Sequence, residues 1–196
     1  MNPVDLPTLE ELEVETLGPC TVASPLRARR ERFHAENERI LVAGSRSHLL
    51  RYDDLESVPS LEAAGAREKI FFDPATIACG IVTCGGLCPG INNVIRSVVL
   101  TLTHGYGVRR IYGFPYGYAG LAGDSEAGPP VELTAPLVEP IHRQGGSFLG
   151  SSRGPQDLGV MADRLEELGI GILFTIGGDG TQRGAAALAD ELARRG

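Results

Sequence analysis

No stretch of this 196-residue sequence approaches the ~18 consecutive apolar residues of a membrane-spanning helix. Its first residues are acidic and lack the basic and apolar regions of a secretory signal, so we expect a cytoplasmic protein without a membrane partner. Basic residues are also scarce: the sequence has 18 lysines and arginines against 25 aspartates and glutamates, which gives a formal charge of −7. This deficit argues against broad nucleic-acid binding, which depends on neutralising phosphates.

Cysteine is limited to four residues, and their spacing excludes the common zinc patterns. Cys79, Cys84 and Cys88 are five and four residues apart, whereas zinc sites typically use CxxC pairs. Only Cys20 remains to supply a fourth sulfur. We interpret the cysteines as small, buried, reduced side chains of a cytoplasmic protein.

Glycine, by contrast, is abundant, with 26 residues of 196, about twice the usual ~7%. The glycine clusters lie between apolar segments that alternate between strand-like runs and helix-like spacing. Runs at 77–84 and 170–176 are typical of buried parallel strands, and 108–114 predicts another strand. Apolar spacing predicts helices from residue 91 to an end at His104-Gly105, over 135–144, over 158–168 and after residue 181. The alternation indicates an α/β fold with a parallel sheet.

Three glycine-rich loops, 85–90, 145–154 and 177–181, each precede a predicted helix. Helix N-termini present free N–H groups and a partial positive charge, which favour phosphate. Glycine lets the backbone approach a phosphate without an intervening Cβ. Three such loops favour a polyphosphate ligand, although each glycine cluster taken singly is equally typical of a tight turn between a strand and a helix.

The common phosphate-binding motifs do not match. Residues 85–90 have the GxxxxG spacing of a P-loop, but Ile91-Asn92 stands where Lys-Ser/Thr is required. The segment from Gly178 to Gly184 reads GxGxxxG, one residue too long for the dinucleotide fingerprint. The sequence therefore indicates neither an ordinary P-loop NTPase nor a dinucleotide-dependent dehydrogenase.

Two charged residues stand out within the loops. Asp179 is a carboxylate among amides that suit phosphate, which is electrostatically unfavourable unless a cation lies between; Mg²⁺ commonly uses one or two carboxylates with phosphates and waters. Its alternative role is a helix N-cap. Arg153 follows Gly-Ser-Ser and suits phosphate oxygens and the charge of a transferring phosphoryl group. Its alternative is an ordinary surface arginine.

The three blocks together resemble the 6-phosphofructokinase family, and most closely its plant-like and trypanosomatid-like ATP-dependent branch. They read IVTCGGLCPGIN at 81–92, GGSFLGSSRGPQD at 145–157 and TIGGDGT at 175–181. The similarity covers about residues 69–196, and that branch also carries an N-terminal extension comparable with residues 1–68. It implies a Rossmann-like three-layer parallel sheet with helices on both faces, here an incomplete nucleotide-binding part of the N-terminal domain.

The resemblance also implies an activity and site roles. The family transfers a phosphoryl group from ATP to fructose 6-phosphate, giving fructose 1,6-bisphosphate and ADP in glycolysis, and is typically homo-oligomeric. By position, Arg153 would stabilise the phosphate, Asp179 would bind Mg²⁺, and Tyr118 would lie near the nucleoside. The nucleotide would contact Gly86, Arg153, Gly154, Gly178, Asp179, Gly180 and Thr181.

The sequence departs from the family at the catalytic base. The family's aspartate lies in a Pro-x-Thr-Ile-Asp-Asn-Asp motif that has no counterpart in these 196 residues. We therefore expect an N-terminal part of a kinase, inactive by itself, with an exposed sheet edge. One alternative is a pyrophosphate-dependent enzyme, which is disfavoured because such relatives usually carry aspartate where this sequence has Gly180. A second is the NAD and diacylglycerol kinase superfamily, which shares the GGDG motif. A third is a non-catalytic nucleotide-binding module.

Overall fold

The structure, a computed structural model, describes residues 6–29 and 32–196. The chain forms two compact units that divide between Phe72 and Asp73. Within the described residues, no helix combines the length and the apolarity needed to cross a membrane.

The first unit is built from short elements. In chain order these are β1 (Val22–Ala23), β2 (Arg39–Leu41), α1 (Arg46–Leu49), β3 (Ser60–Glu62) and β4 (Lys69–Ile70), with 3-10 turns at Glu10–Leu12 and Pro25–Arg29. β1 pairs with β4 and β2 pairs with β3, both antiparallel. Residues 69–72, which the sequence analysis places with the nucleotide-binding part, therefore lie in the first unit through β4.

The second unit contains the main sheet. Its elements are β5 (Ala78–Thr83), α2 (Ile91–Leu100), β6 (Arg110–Phe114), α3 (Tyr118–Leu121), β7 (Val131–Glu132), α4 (Ala135–Val138), α5 (Leu158–Leu168), β8 (Ile170–Ile176) and α6 (Asp179–Arg195). The strand order is β7-β6-β5-β8. β5 is parallel to both β6 and β8, as predicted, whereas β7, which the sequence analysis did not predict, is antiparallel to β6.

Helices cover both faces of β5, every residue of which is buried. Because side chains alternate along a strand, Cys79 and Ile81 pack in one cluster with Ile95 and Val99 of α2. Val82 packs in the opposite cluster with residues of α3, α5 and α6, including Leu121, Met161 and Leu188. The predicted three-layer α/β architecture is therefore confirmed.

β8 differs from the predicted buried strand. Six of its residues are half-buried and Gly171 is exposed. The reason is its place at the edge of the sheet, where it pairs only with β5 among the described strands. The expectation of an exposed sheet edge is confirmed at this strand.

Two predicted helices also differ in extent. The helix from Ile91 does not end at His104-Gly105 but continues as a π-helical turn, Thr101–Tyr106, and stops where Gly107 adopts a left-handed φ of 78°. The helix predicted at 135–144 is split into α4 and a 3-10 turn, Ile141–Arg143, at Pro140, because proline has no N–H to continue the ladder. α5 ends at Gly169 as predicted.

Candidate active site

A cleft of about 720 Å³ lies at the carboxyl ends of β5 and β8, the usual ligand position in open α/β sheets. Residues of all three glycine-rich segments line it. The structure thus brings together every site residue that the sequence analysis named: Gly86, Tyr118, Arg153, Gly154, Gly178, Asp179, Gly180 and Thr181.

The N-terminus of α6 forms one wall of this cleft. The segment 177–181, predicted as a loop, is a loop only at Gly177 and Gly178, because α6 begins at Asp179. The first backbone bond of the helix runs from the Gln182 N–H to the Gly178 carbonyl. The preceding N–H groups, those of residues 179–181, therefore have no intrahelical acceptor and suit an anion.

Asp179 is the first residue of that helix and not its N-cap, which is Gly178. The N-cap alternative is therefore wrong. The Asp179 carboxylate has no hydrogen bond or ion pair with any residue that the structure describes. It lines the cleft as an unpaired carboxylate beside phosphate-suited amides, which fits a residue that holds Mg²⁺ together with a phosphate ligand.

Glycine is used in opposite ways at positions 177 and 180. A Cβ on Gly177 would overlap the Thr181 hydroxyl and stand 2.7 Å from the Cys84 carbonyl oxygen, so the close approach of β5 and α6 requires glycine there. A Cβ on Gly180 would meet no atom of the described residues within 4 Å. Gly180 therefore leaves free space in the cleft.

The second glycine-rich segment runs alongside the end of β5. Cys84 and Ser152 form a parallel bridge, and the Gly85 N–H donates to the Ser152 carbonyl at 2.9 Å. The Ser151 hydroxyl donates to the Gly85 carbonyl at 2.6 Å. These bonds bring the segments 85–90 and 145–154, distant in sequence, to a fixed register beside the cleft.

Arg153 extends from this segment toward the first loop. Its Nη2 atom lies 3.6 Å from the position that a Cβ on Gly86 would occupy. The side chain is exposed and makes no hydrogen bond or ion pair within the described part of the chain. Its donors are therefore available to an anion in the cleft.

The first loop contributes less than the sequence analysis expects. Gly85 and Gly86 line the cleft, but none of its described lining residues comes from α2. The N–H of Ile91, the first residue of α2, approaches the Cys88 carbonyl at 3.4 Å. The N-terminus of α2 therefore does not line this cleft, and its contact with a ligand stays a prediction.

Tyr118 lies in the wall of the cleft, with 7% of its surface exposed. Its hydroxyl donates to the Thr181 carbonyl at 2.8 Å and so connects α3 to the first turn of α6. Burial, with a smaller contribution from the neighbouring Cys84, raises the pKa of Tyr118 to about 12. The phenol is therefore neutral at physiological pH and serves as a hydrogen-bond donor.

The sequence analysis missed the apolar part of the cleft. Leu158 and Met161 of α5 line it together with Gly184 and Ala187 of α6. A helical-period signal exists, because the small residues 180, 184 and 187 share one face of α6. Arg183, four residues after Asp179, also lines the cleft and was not predicted.

The cysteines fit the prediction only in part. Cys79 and Cys84 are buried and Cys20 and Cys88 are exposed; all four are free thiols. Burial raises the pKa of Cys79 to about 11 and also raises that of Cys84, so both remain protonated. No group of three or more His, Cys, Asp or Glu residues suited to a metal ion occurs in the described ranges.

Known proteins of one family match most of this chain. The phosphofructokinase family model matches residues 78–194. The chain belongs to the phosphofructokinase family. The ATP-dependent 6-phosphofructokinase of Trypanosoma cruzi is 44% identical over 99% of the chain, that of Amycolatopsis methanolica 46% over 96%, and ATP-dependent 6-phosphofructokinase 7 of Arabidopsis thaliana 44% over 67%. The resemblance to plant and trypanosomatid relatives is confirmed.

The matches cover only part of these relatives. This phosphofructokinase-family chain spans 41% of the Trypanosoma cruzi protein and 42% of the Amycolatopsis methanolica protein. Among solved structures, Pichia pastoris phosphofructokinase in the T-state aligns with a TM-score of 0.53 and 25% identity, over 69% of this chain and 16% of that one. Pyrophosphate-dependent phosphofructokinase from Marinobacter aquaeolei aligns with a TM-score of 0.54 at 18% identity over 61% of this chain and 30% of that one, which shows the fold alone.

Proposed function

We propose that this chain supplies the nucleotide-binding and magnesium-binding half of an ATP-dependent 6-phosphofructokinase. The enzyme transfers the terminal phosphoryl group of ATP to fructose 6-phosphate, giving fructose 1,6-bisphosphate and ADP. The observation that carries the proposal is the convergence of three glycine-rich segments on one cleft that also holds Asp179 and Arg153. The names of the ATP-dependent relatives support it.

The roles follow from where these residues lie. The free N–H groups at the start of α6 and the backbone at Gly86 and Gly154 would hold the phosphates. Arg153 would neutralise charge on the transferring phosphoryl group as it develops. A Mg²⁺ ion held by Asp179 would neutralise the remaining phosphate charge.

The cleft favours ATP over pyrophosphate as the donor for two reasons. The open space beside Gly180 accommodates an α-phosphate, which an aspartate there would obstruct and repel. The apolar wall of Leu158, Met161 and Ala187 suits a nucleoside, for which pyrophosphate has no equivalent.

The described cleft does not hold a second carboxylate. Asp179 is the only acidic residue among the described lining residues of the cleft. Its proposed role is to bind Mg²⁺, so it is not available as a proton acceptor. Transfer needs a group that accepts the proton of the attacking sugar hydroxyl. We therefore expect these 196 residues alone to bind nucleotide without turnover, and expect activity from a cytoplasmic homo-oligomer of the full-length protein.

The test is a coupled assay of the full-length protein with fructose 6-phosphate, with ATP and with pyrophosphate as donors. We expect ADP-linked turnover with ATP. Turnover with pyrophosphate but not with ATP would identify pyrophosphate as the phosphoryl donor. Nucleotide binding without turnover would indicate a non-catalytic module. Either result contradicts the proposal.

A variant pair locates the activity in the cleft. Arg153→Lys keeps the charge but loses the planar fork that matches phosphate oxygens, so we expect kcat/KM to fall roughly 100-fold. Arg143→Lys makes the same change at an exposed residue outside the cleft lining. Equal kinetics for the two variants would contradict the role given to Arg153.

A further inference from the structure

Thr83, the last residue of β5, has a buried hydroxyl that reaches the second glycine-rich segment. Its side chain is 0% exposed. Its Oγ1 donates to the Gly150 carbonyl at 2.5 Å and lies 2.9 Å from the Ser147 hydroxyl oxygen. Since a hydroxyl carries a single proton, Ser147 is the donor in the second bond. Thr83 thus binds the segment at two points.

Asn92 makes a second, independent connection to the same segment. It lies in the first turn of α2 and is 3% exposed. Its Nδ2 donates to the Gln144 carbonyl at 3.1 Å, and its Oδ1 accepts from the Phe148 N–H at 2.6 Å. The carboxamide therefore bridges the two sides of the Gly145-Gly146 turn.

Leu149 anchors the end of the segment, because it is 3% exposed in the core and its carbonyl accepts from the Tyr116 N–H at 2.7 Å, but the turn at 144–146 has little support of its own. Gly146 and Gly150 adopt left-handed φ values of 76° and 69°, and glycine has the largest conformational freedom to lose on ordering. Residues 143–146 are exposed, so packing does not fix them. Arg153 follows Gly150 by three residues, so the conformation of this backbone, together with the bonds of Ser151 and Ser152 to Gly85, sets its place beside Gly86.

We infer that Thr83 and Asn92 are positioning residues that hold the segment 144–150 in the conformation that presents Arg153 to the phosphate end of the nucleotide. The inference rests on the proposed function, because the ligand is the polyphosphate assigned there. Neither side chain lines the cleft, so both act through the segment and not on the ligand. A segment that is ordered only part of the time lowers the apparent affinity by the fraction that is competent.

The first experiment measures the segment without any ligand. Thr83→Val removes the hydroxyl at nearly constant volume, and Thr76→Val makes the same change at an exposed residue just before β5, at the opposite end. We expect amide hydrogen exchange of peptides covering 144–152 to rise about tenfold in Thr83→Val. Exchange is expected to remain at the wild-type rate in Thr76→Val and in Thr83→Ser, which retains the hydroxyl.

The second experiment separates positioning from general stability in the full-length protein. Asn92→Ala removes both carboxamide bonds, and Asn93→Ala changes the adjacent exposed residue of the same helix. We expect the Kd for Mg-ATP to rise about tenfold in Asn92→Ala and Thr83→Val, while the Kd for AMP, which lacks the distal phosphates, changes by less than about twofold. Asn93→Ala is expected to bind both ligands as the wild type does.

The outcomes distinguish the two proposals. Wild-type exchange and a wild-type ratio of ATP to AMP affinity in both variants would overturn the inference alone. Equal losses of ATP and AMP affinity would also overturn it, because they indicate a general loss of structure. Failure of the wild-type protein to bind either nucleotide would overturn the proposed function and, with it, the inference. If Thr83→Val does not fold, Ser147→Ala, which removes one bond of the pair, is expected to show a smaller change of the same sign.

Discussion

β5 and β8 are neighbours in the sheet, and each is followed by a glycine-rich turn and a helix. After β8 the turn is two residues long, and the first turn of α6 enters the cleft. After β5 the turn spans residues 84–90, and α2 contributes nothing to the described lining of the cleft. The junction between β8 and α6 therefore offers helix N–H groups and a carboxylate, whereas the junction between β5 and α2 contributes Cys84, Gly85 and Gly86 to the described lining and no helix N-terminus.

The difference shows that a glycine-rich strand-to-helix turn is not a uniform anion site. The short turn after β8 leaves the N-terminus of α6 at the cleft, so that its partial positive charge acts there. A long turn moves the helix away, and its first residues take other tasks: in α2, Asn92 contacts the segment 144–148. Four substitutions, with their controls, test the two junctions and the contacts around them, in order of decreasing expected effect.

The largest effect is expected at the carboxylate of α6. Asp179→Asn keeps the size of the side chain and removes the charge that would hold Mg²⁺, so we expect kcat/KM of the full-length enzyme to fall roughly 1000-fold. Asp190→Asn is the matched control, since Asp190 is an exposed residue of the same helix outside the cleft. Steady-state kinetics over a range of Mg²⁺ concentrations is the measurement, and a near-normal Asp179→Asn enzyme would refute the assignment.

A smaller effect is expected from adding an acidic side chain to the first turn of α6, and the same addition to the first turn of α2 serves as the comparison. Gly180→Asp places a carboxylate in the free space of the cleft, where it repels the α-phosphate, so we expect ATP affinity to fall about tenfold. Gly180→Ala, which adds a Cβ in the same space, is expected to bind ATP normally. Isothermal titration with Mg-ATP measures both.

The corresponding change in α2 is Asn93→Asp. Because this helix does not line the cleft, the new acid should leave ATP affinity unchanged and stabilise the helix by about 0.5 kcal/mol through its dipole. A loss of ATP affinity equal to that of Gly180→Asp would remove the distinction between the two junctions.

The smallest effect concerns the tether between α3 and α6. Tyr118→Phe removes the hydrogen bond to the Thr181 carbonyl, and we expect the free energy of unfolding to fall by about 1 kcal/mol at neutral pH. The pKa of Tyr118 is raised from 10.0 to about 12 in the folded protein. The unfolded chain therefore loses this proton first, and the stability that the phenol contributes declines as the pH rises from 10 to 12.

Urea unfolding at a series of alkaline pH values measures this decline. The stability difference between wild type and Tyr118→Phe should shrink across that range, while the buried Cys79, whose pKa is raised by burial alone, affects both proteins equally. A constant difference would show that the tyrosine is not buried as the structure places it.

The sequence by itself determined the features that depend on local pattern. The apolar run of β5, the helical spacing of α5 and its stop at Gly169 are set by neighbouring residues and were predicted correctly. The membership of the cleft was also predictable, because the carboxyl ends of parallel strands meet at one edge of a sheet. Gly86 and Asp179 came together for that reason, whereas Arg153 follows no strand of the main sheet and reaches the cleft through the bridge between Cys84 and Ser152.

Only the tertiary structure decided which parts of those loops line the cleft. Thr83 bonds to Gly150, 67 residues away, and Asn92 to Gln144, 52 residues away. No local periodicity encodes such pairs, because their formation depends on how the sheet and helices pack. The same holds for the unpredicted β7, for the edge position that leaves β8 half-buried, and for the apolar cleft wall that α5 and α6 form only when they meet.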